Sequence, residues 1–135
     1  MTIIITLPYP PAQLNPNRRV HWAVAAKHAK AYRLECFALT KAALGRRRIR
    51  GVTAIKLTFH PPDKRKRDDD NIIRAFKSGR DGLADALGID DNTLRPVYCV
   101  SMPLPAGAVV VSIDASSAST PLRARFGLSD GVFLP

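Results

Sequence analysis

The chain is poor in acid, in cysteine and in long apolar runs. Two cysteines among 135 residues, Cys36 and Cys99, build neither a disulfide framework nor a zinc site, which suits a cytosolic-type chain. No apolar run approaches the roughly 20 residues of a membrane-spanning helix. The opening Met1-Thr2-Ile3-Ile4-Ile5-Thr6-Leu7 lacks a basic leader and is too short for a signal peptide. A cytoplasmic protein is expected, with no membrane partner. Carboxylates are outnumbered: eleven acids face 21 Lys and Arg, for a net charge of +10. Such a field draws polyanions, and nucleic acid is the commonest of them.

What is present is the composition of one soluble domain, 46% apolar and 24% charged, long enough to bury roughly two-thirds of its unfolded surface. The charges are unevenly placed. Eighteen cations lie between Arg18 and Arg80, and eight of the eleven acids lie between Asp63 and Asp91. Solubility alone gives no reason to bunch carboxylates inside a basic region.

The β-branched run Thr2 to Leu7 reads as a strand, ended by Pro8-Tyr9-Pro10-Pro11 because proline cannot donate to a ladder. A loop over Leu14 to Arg19 leads to a helix from about Trp22 to Leu44, with Tyr32, Cys36, Leu39 and Ala43 on its apolar line and Gly45 as its stop. Arg46 to Gly51 is a basic connector. Ile55, Leu57 and Phe59 alternate with Lys56, Thr58 and His60 as a half-buried strand, closed by Pro61-Pro62. A second helix starts near Asp69 or Asp70 and carries Ile72, Phe76, Leu83 and Leu87 to a stop at Gly88. Strands follow over Leu94 to Met102 and Ala108 to Ile113, and the linker Pro103 to Gly107 predicts a hairpin between them. From Ala115 onward small residues and scattered apolar groups read as a flexible or partner-docked tail. The expected class is α+β, a small mixed sheet with two main helices in the order β-α-β-α-β-β.

The densest chemistry lies in Pro62-Asp63-Lys64-Arg65-Lys66-Arg67-Asp68-Asp69-Asp70-Asn71. One aspartate at a helix entrance caps free amides and suits the helix dipole. Three in succession repel one another and call for a cation. Asp68 and Asp70 can project to one side while the chain is still extended, and hard oxygen ligands of this kind suit Mg²⁺ or Mn²⁺. The spacing excludes an EF-hand loop, since Ile73 stands where its glycine belongs and Gly79 where its glutamate belongs. A second pair, Asp90-Asp91, follows the helix. The two groups meet within one subunit if the chain from Gly79 to Gly88 bends back, and otherwise across a dimer. Arg74 and Lys77 share the helix face of Asp70, where a cation would steady charge on a phosphoryl group. The bland alternative is a solvated capping cluster with ordinary exposed helix cations.

These segments resemble the RusA-type Holliday junction resolvases. Leu7-Pro8-Tyr9-Pro10-Pro11 after a strand is similar to the family's opening, and the basic run into Asp68-Asp69-Asp70-Asn71 to its Asp-x-Asp-Asn step. Asp90-Asp91 resembles its later acidic pair, and Met102-Pro103 the close of the following strand. The resemblance spans about Ile3 to Ile113. It implies a RusA-like endonuclease domain over residues 1–114; the tail at 115–135, read from composition, has no counterpart in it. It further implies a homodimeric enzyme, often prophage-encoded, that resolves branched DNA by paired Mg²⁺-dependent nicks in recombination and repair. Carried over by position, the catalytic and metal-binding carboxylates are Asp68, Asp70 and Asp91. The family's helix lysine falls on Arg74 by strict spacing, with Lys77 one turn later as its substitute. Asp63 and Asp69 stand beside this set.

Arg18, Arg19, Lys27, Lys30, Arg46, Arg47, Arg48, Lys64, Arg65, Lys66 and Arg67 are candidate phosphate contacts. His21, His28 and His60 lack ligand spacing and are expected at the surface or near DNA. Trp22 and Tyr9 are assigned to core packing or a dimer contact ahead of base stacking. No small-molecule cofactor is expected. The competing readings are a non-catalytic basic protein that grips branched DNA, and an enzyme of the same chemistry acting on flaps or duplexes.

Overall fold

The structure, a computed structural model, describes residues 1–47, 49–90 and 92–117. Its elements run β1 (Thr2–Leu7), α1 (Trp22–Leu44), β2 (Ile49–His60), α2 (Asp69–Ala75), α3 (Lys77–Leu87), β3 (Val97–Val100) and β4 (Ala108–Ser117), with a single 3-10 turn at Ala12–Leu14. The four strands form one mixed sheet in the order β1-β4-β2-β3. β4 is antiparallel to both neighbours, and β2 and β3 are parallel. Among the described residues no helix is long and apolar enough to cross a membrane.

Period-two alternation decides which sheet face is covered. Ile3, Ile5 and Leu7 point inward from β1, Ile55, Leu57 and Phe59 from β2, and Val109, Val111 and Ile113 from β4. The register lines them up in rows: Ile5 beside Val111 beside Leu57, and Leu7 beside Val109 beside Phe59. The helices cover this face, and Phe76 meets Phe59 edge-on at 5.4 Å. The opposite face presents Thr2, Ile4, Thr6, Lys56 and Asp114 to solvent.

The expected elements hold in outline, with corrections of detail. The predicted hairpin is absent, because β3 and β4 lie on opposite edges of β2. The connection from Ser101 to Gly107 instead crosses the end of β2, where the Leu104 amide donates to the Pro61 carbonyl. Two strand spacings are only about 10 Å, so a Pro- and Gly-rich linker serves a crossover as readily as a hairpin. β3 itself is shorter than the expected Leu94-to-Met102 strand, since Pro96 has no amide to give.

The second helix is two helices, broken at Phe76 (φ −84°, ψ −2°). Hydrogen bonds still bridge the break, from the Phe76 amide to the Ile72 carbonyl and from the Arg80 amide to the Phe76 carbonyl. On α1 the buried row is Tyr32, Cys36, Thr40 and Leu44, and Leu39 is partly exposed. A four-residue step drifts around a helix of 3.6 residues per turn, so the buried line winds onto a polar residue. Burial pushes the Cys36 thiol up to about 12. Trp22, expected in the core or at a dimer contact, is 77% exposed within the chain. β2 takes up Ile49 to Gly51 from the expected connector, and β4 runs on to Ser117. The remainder of the expected tail, 118–135, lies outside the described residues.

Gly79 and Gly82 stay within α3 and are both buried. A Cβ at Gly82 would stand 2.3 Å from the Arg33 carbonyl oxygen, and one at Gly79 2.6 Å from the Tyr32 ring. These glycines let α1 and α3 approach closely. Gly82→Ala is expected to lower stability in urea unfolding by about 3 kcal/mol, against the roughly 1 kcal/mol that alanine gains in helix propensity. Gly79→Ala, which meets rings and not backbone, costs less. A stabilised Gly82→Ala would refute this account of the helix pair.

Candidate functional site

β1, β2 and β3 run in the same direction, and their carboxyl ends lie at one edge of the sheet. Crevices beyond the carboxyl ends of parallel strands are the usual ligand sites of open sheets. A cleft of about 520 Å³ opens there, with Tyr9, Asn15, Arg67, Asp68 and Asn71 among its walls. The proline run after β1 supplies one wall, and the loop from Pro62 to α2 supplies the other. The crossover loop braces Tyr9 from behind. Gly107 adopts φ +72°, and a Cβ there would meet the Tyr9 Cβ at 2.8 Å. Burial raises the Tyr9 phenol above its ordinary pKa, and Arg67 opposes that rise.

Asp63 organises the basic run. Its carboxylate accepts from the Arg65 amide at 3.0 Å and pairs with the Arg65 and Arg67 guanidinium groups at 3.2 and 2.8 Å. Arg67 Nη1 also donates to the carbonyls of Asp63 and Arg65, both at 3.0 Å. Arg67 is therefore a staple of its own loop, with its side chain only 19% exposed. The Arg65 amide, followed by the two guanidinium groups, holds the Asp63 carboxyl down at about 2. Sequence reasoning set Asp63 beside the site and missed this role. The signal was available in Asp63-x-Arg65, the spacing at which an aspartate bonds its own backbone two residues on.

Asp68 is the N-cap of α2, and its Oδ1 accepts from the Asp70 amide at 3.0 Å. The helix begins at Asp69, so the chain is no longer extended at Asp70, contrary to expectation. On α2 the cleft face carries Asp68, Asn71, Ile72 and Ala75, and Asp70 is not among the described residues lining it. Asp69 and Asp70 are exposed in the first turn. Arg74 is exposed in the last turn of α2. Lys77 opens α3 and reaches along it to Asp81 at 2.7 Å.

Asp91 lies outside the described residues. The chain does not bend at Gly79 or Gly82, because both are used for packing and α3 continues through them. The reversal comes after α3. Gly88 adopts a left-handed conformation at φ 70°, and the Asp90 carboxylate accepts from the Asn92 amide at 2.9 Å. Arg80 then donates to the Leu94 carbonyl at 2.8 Å, so the chain returns to the first turn of α3.

The candidate phosphate contacts fall into separate groups. Arg18, Arg19, Lys27 and Lys30 are exposed around the start of α1, and Lys64, Arg65 and Lys66 on the loop before α2. Arg46 and Arg47 stand at the far end of α1, about 33 Å away at 1.5 Å per residue. Arg47 donates to the Ala43 and Leu44 carbonyls and so closes the helix end. Arg48 lies outside the described residues. Of the histidines, His21 caps α1 by accepting from the Ala23 amide, and His60 Nδ1 lies 2.9 Å from the Met102 carbonyl oxygen.

Among the described residues no three His, Cys, Asp or Glu side chains gather as a ligand group. Mg²⁺ asks for less, one or two carboxylates with waters completing its shell. Asp68 lines the cleft, and Asp70 is exposed two residues further on, in the first turn of α2.

Fold and site together define a small α+β protein whose cleft, at the carboxyl edge of the sheet, joins the Asp68 carboxylate to a pinned cationic loop. The chain is 40% identical over 119 residues to an uncharacterized protein of Xylella fastidiosa (strain Temecula1 / ATCC 700964), a match covering 81% of this chain and 74% of that protein, and it belongs to the same family. No family model matches it.

Asp63 gives a pH test of the pinned loop. A depressed carboxyl stabilises the folded form above its ordinary value near 3.9, and that contribution is lost as pH falls through the folded value. The loop contacts should therefore be complete above about pH 4 and gone below about pH 2. Carboxyl-carbon NMR should find the Asp63 midpoint near 2, rising in Arg67→Ala. An ordinary midpoint in the parent protein would remove the proposed pin.

Proposed function

We propose that the protein is a Mg²⁺-dependent endonuclease that nicks branched DNA, four-way junctions above all, as a RusA-type resolvase. The observation that carries this reading is the junction, in one cleft wall, of the Asp68 N-cap with the cationic loop Lys64 to Arg67. A carboxylate beside fixed cations suits a site that must hold a metal and a phosphodiester together. Neither a solubilising surface nor a simple helix cap needs both.

In this reading Asp68 and Asp70 hold the ion, joined by Asp91 from the same chain or from a second copy. When bound, Mg²⁺ would acidify a water for attack on phosphorus and neutralise charge on the phosphoryl oxygens. Lys64 and Lys66 bind the flanking phosphates, while Asp63 keeps Arg65 and Arg67 in place. Arg74 or Lys77 would steady the charge that develops at the cleaved bond. Lys77 gives up its bond to Asp81 if it takes that part. A two-fold dimer suits a junction of approximate two-fold symmetry, because each cleft then meets an equivalent strand.

Cleavage of a synthetic four-way junction in Mg²⁺ tests the proposal. The parent protein should release paired nicked products, and Asp70→Asn should abolish them while junction binding stays intact or tightens, since one charge repelling phosphate is gone. If Asp70→Asn cuts normally, the assigned chemistry is wrong. Binding without metal-dependent nicking by the parent leaves only a DNA-gripping protein, and flap and duplex substrates run in parallel show whether the branch is what is recognised.

A further inference from the structure

Trp22 is the one tryptophan of the chain, and 77% of it is exposed. An indole so placed costs solubility and contributes little to the core. It is also held. Its ring stacks on His21 at 5.6 Å with 30° between the planes, and His21 is fixed in turn by accepting from the Ala23 amide at 3.1 Å. A flat, oriented aromatic surface therefore faces solvent at the first residue of α1.

The sequence on either side of it carries charge of one sign. The first acid in the sequence is Glu35, whereas Arg18, Arg19, Lys27, Lys30 and Arg33 precede it. The first turn of α1 has no acidic residue. The loop before α1 folds back on it, and Arg18 and Asn15 share a groove of about 390 Å³ with Ala25, Ala26 and Ala29. Asn15 also lines the cleft that holds Asp68. Asn15 thus joins the cleft at Asp68 to the groove that carries Arg18 beside the start of α1.

We propose that Trp22 is a base-stacking residue, whose indole takes an unpaired nucleobase of a DNA strand with phosphates along Arg18 and Arg19. Aromatic faces flanked by cations bind single strands in this way, because every base offers a π-face and every linkage a charge. A duplex keeps its bases stacked on one another and gains only the phosphate contacts. Trp22 therefore favours DNA with unstacked bases, as at a branch or a single-stranded gap. This rests on the DNA-binding part of the function proposed above and not on its catalysis.

Because the chain has a single tryptophan, its fluorescence reports this site alone. Titration with a thymidine oligonucleotide at fixed salt should quench the emission saturably, and a blunt duplex should do so far less. Trp22→Ala should weaken single-strand affinity about tenfold and duplex affinity by less than about twofold, with Trp22→Phe restoring most of the loss. Equal single-strand affinity in Trp22→Ala would overturn the proposal. So would emission that shifts with protein concentration alone, which would mean that a second copy covers the indole. Quenching without Mg²⁺-dependent nicking of a four-way junction ends the nuclease reading and leaves the stacking in place. Nicking alongside an unaffected Trp22→Ala does the reverse.

Discussion

The layer of helices is set by one close approach, the Gly82 backbone against the Arg33 carbonyl oxygen. Any side chain at that position would push α3 off α1. With glycine there, Leu83, Leu87 and Phe76 descend onto Leu57 and Phe59, and Arg33 closes the outer side through Asp85 at 2.8 Å. The α3 helix continues unbroken through both Gly79 and Gly82. The acidic segment before α2 and the acidic turn after α3 are therefore not brought together by a bent helix. The return at Gly88, tied to α3 by Arg80, carries the chain back. Helix packing and site geometry are one problem in this protein, solved by where the glycines sit.

The cleft has its own ordering of forces. Four successive cations on a short loop repel one another and would leave it loose in water. Asp63 reverses that by accepting from an amide and two guanidinium groups at once. Exposed ion pairs contribute little to stability, so the gain lies in position. Arg67 is turned inward as a staple and Arg65 is held, while Lys64 and Lys66 remain outward. A loop fixed before its ligand arrives gives up less freedom on binding.

Much of this was legible from the residues, and the failures are instructive. The bounds of α1 followed from the proline run, the helical spacing and Gly45, and the cores of β1 and β2 from strict alternation. The order of strands in the sheet did not follow. Nothing in Pro103 to Gly107 distinguishes a turn that pairs its flanks from one that steps over a neighbour. The packing role of Gly79 and Gly82 was not legible either, because a sequence shows a missing side chain and not the carbonyl or ring that fills its place. In the site, the bunching of charge was plain, but attention to excess carboxylate hid the aspartate that was already satisfied. The step from extended chain to helix at Asp69 also turned on a single residue, a finer boundary than spacing resolves.

The distribution of charge bears on how these parts work together. Carboxylates at the cleft repel the phosphates that the rest of the surface attracts, so a strand would be held at a distance from Asp68 unless a cation intervened. The start of α1 has no such conflict, with cations and an oriented indole and no acid before Glu35. Under the proposed function, binding and bond-breaking would fall to different stretches of chain, bridged by the loop that carries Asn15. On that proposal, a basic protein with Asp68 at its cleft would hold DNA at one place while the other stays selective for the ion that lets phosphate approach.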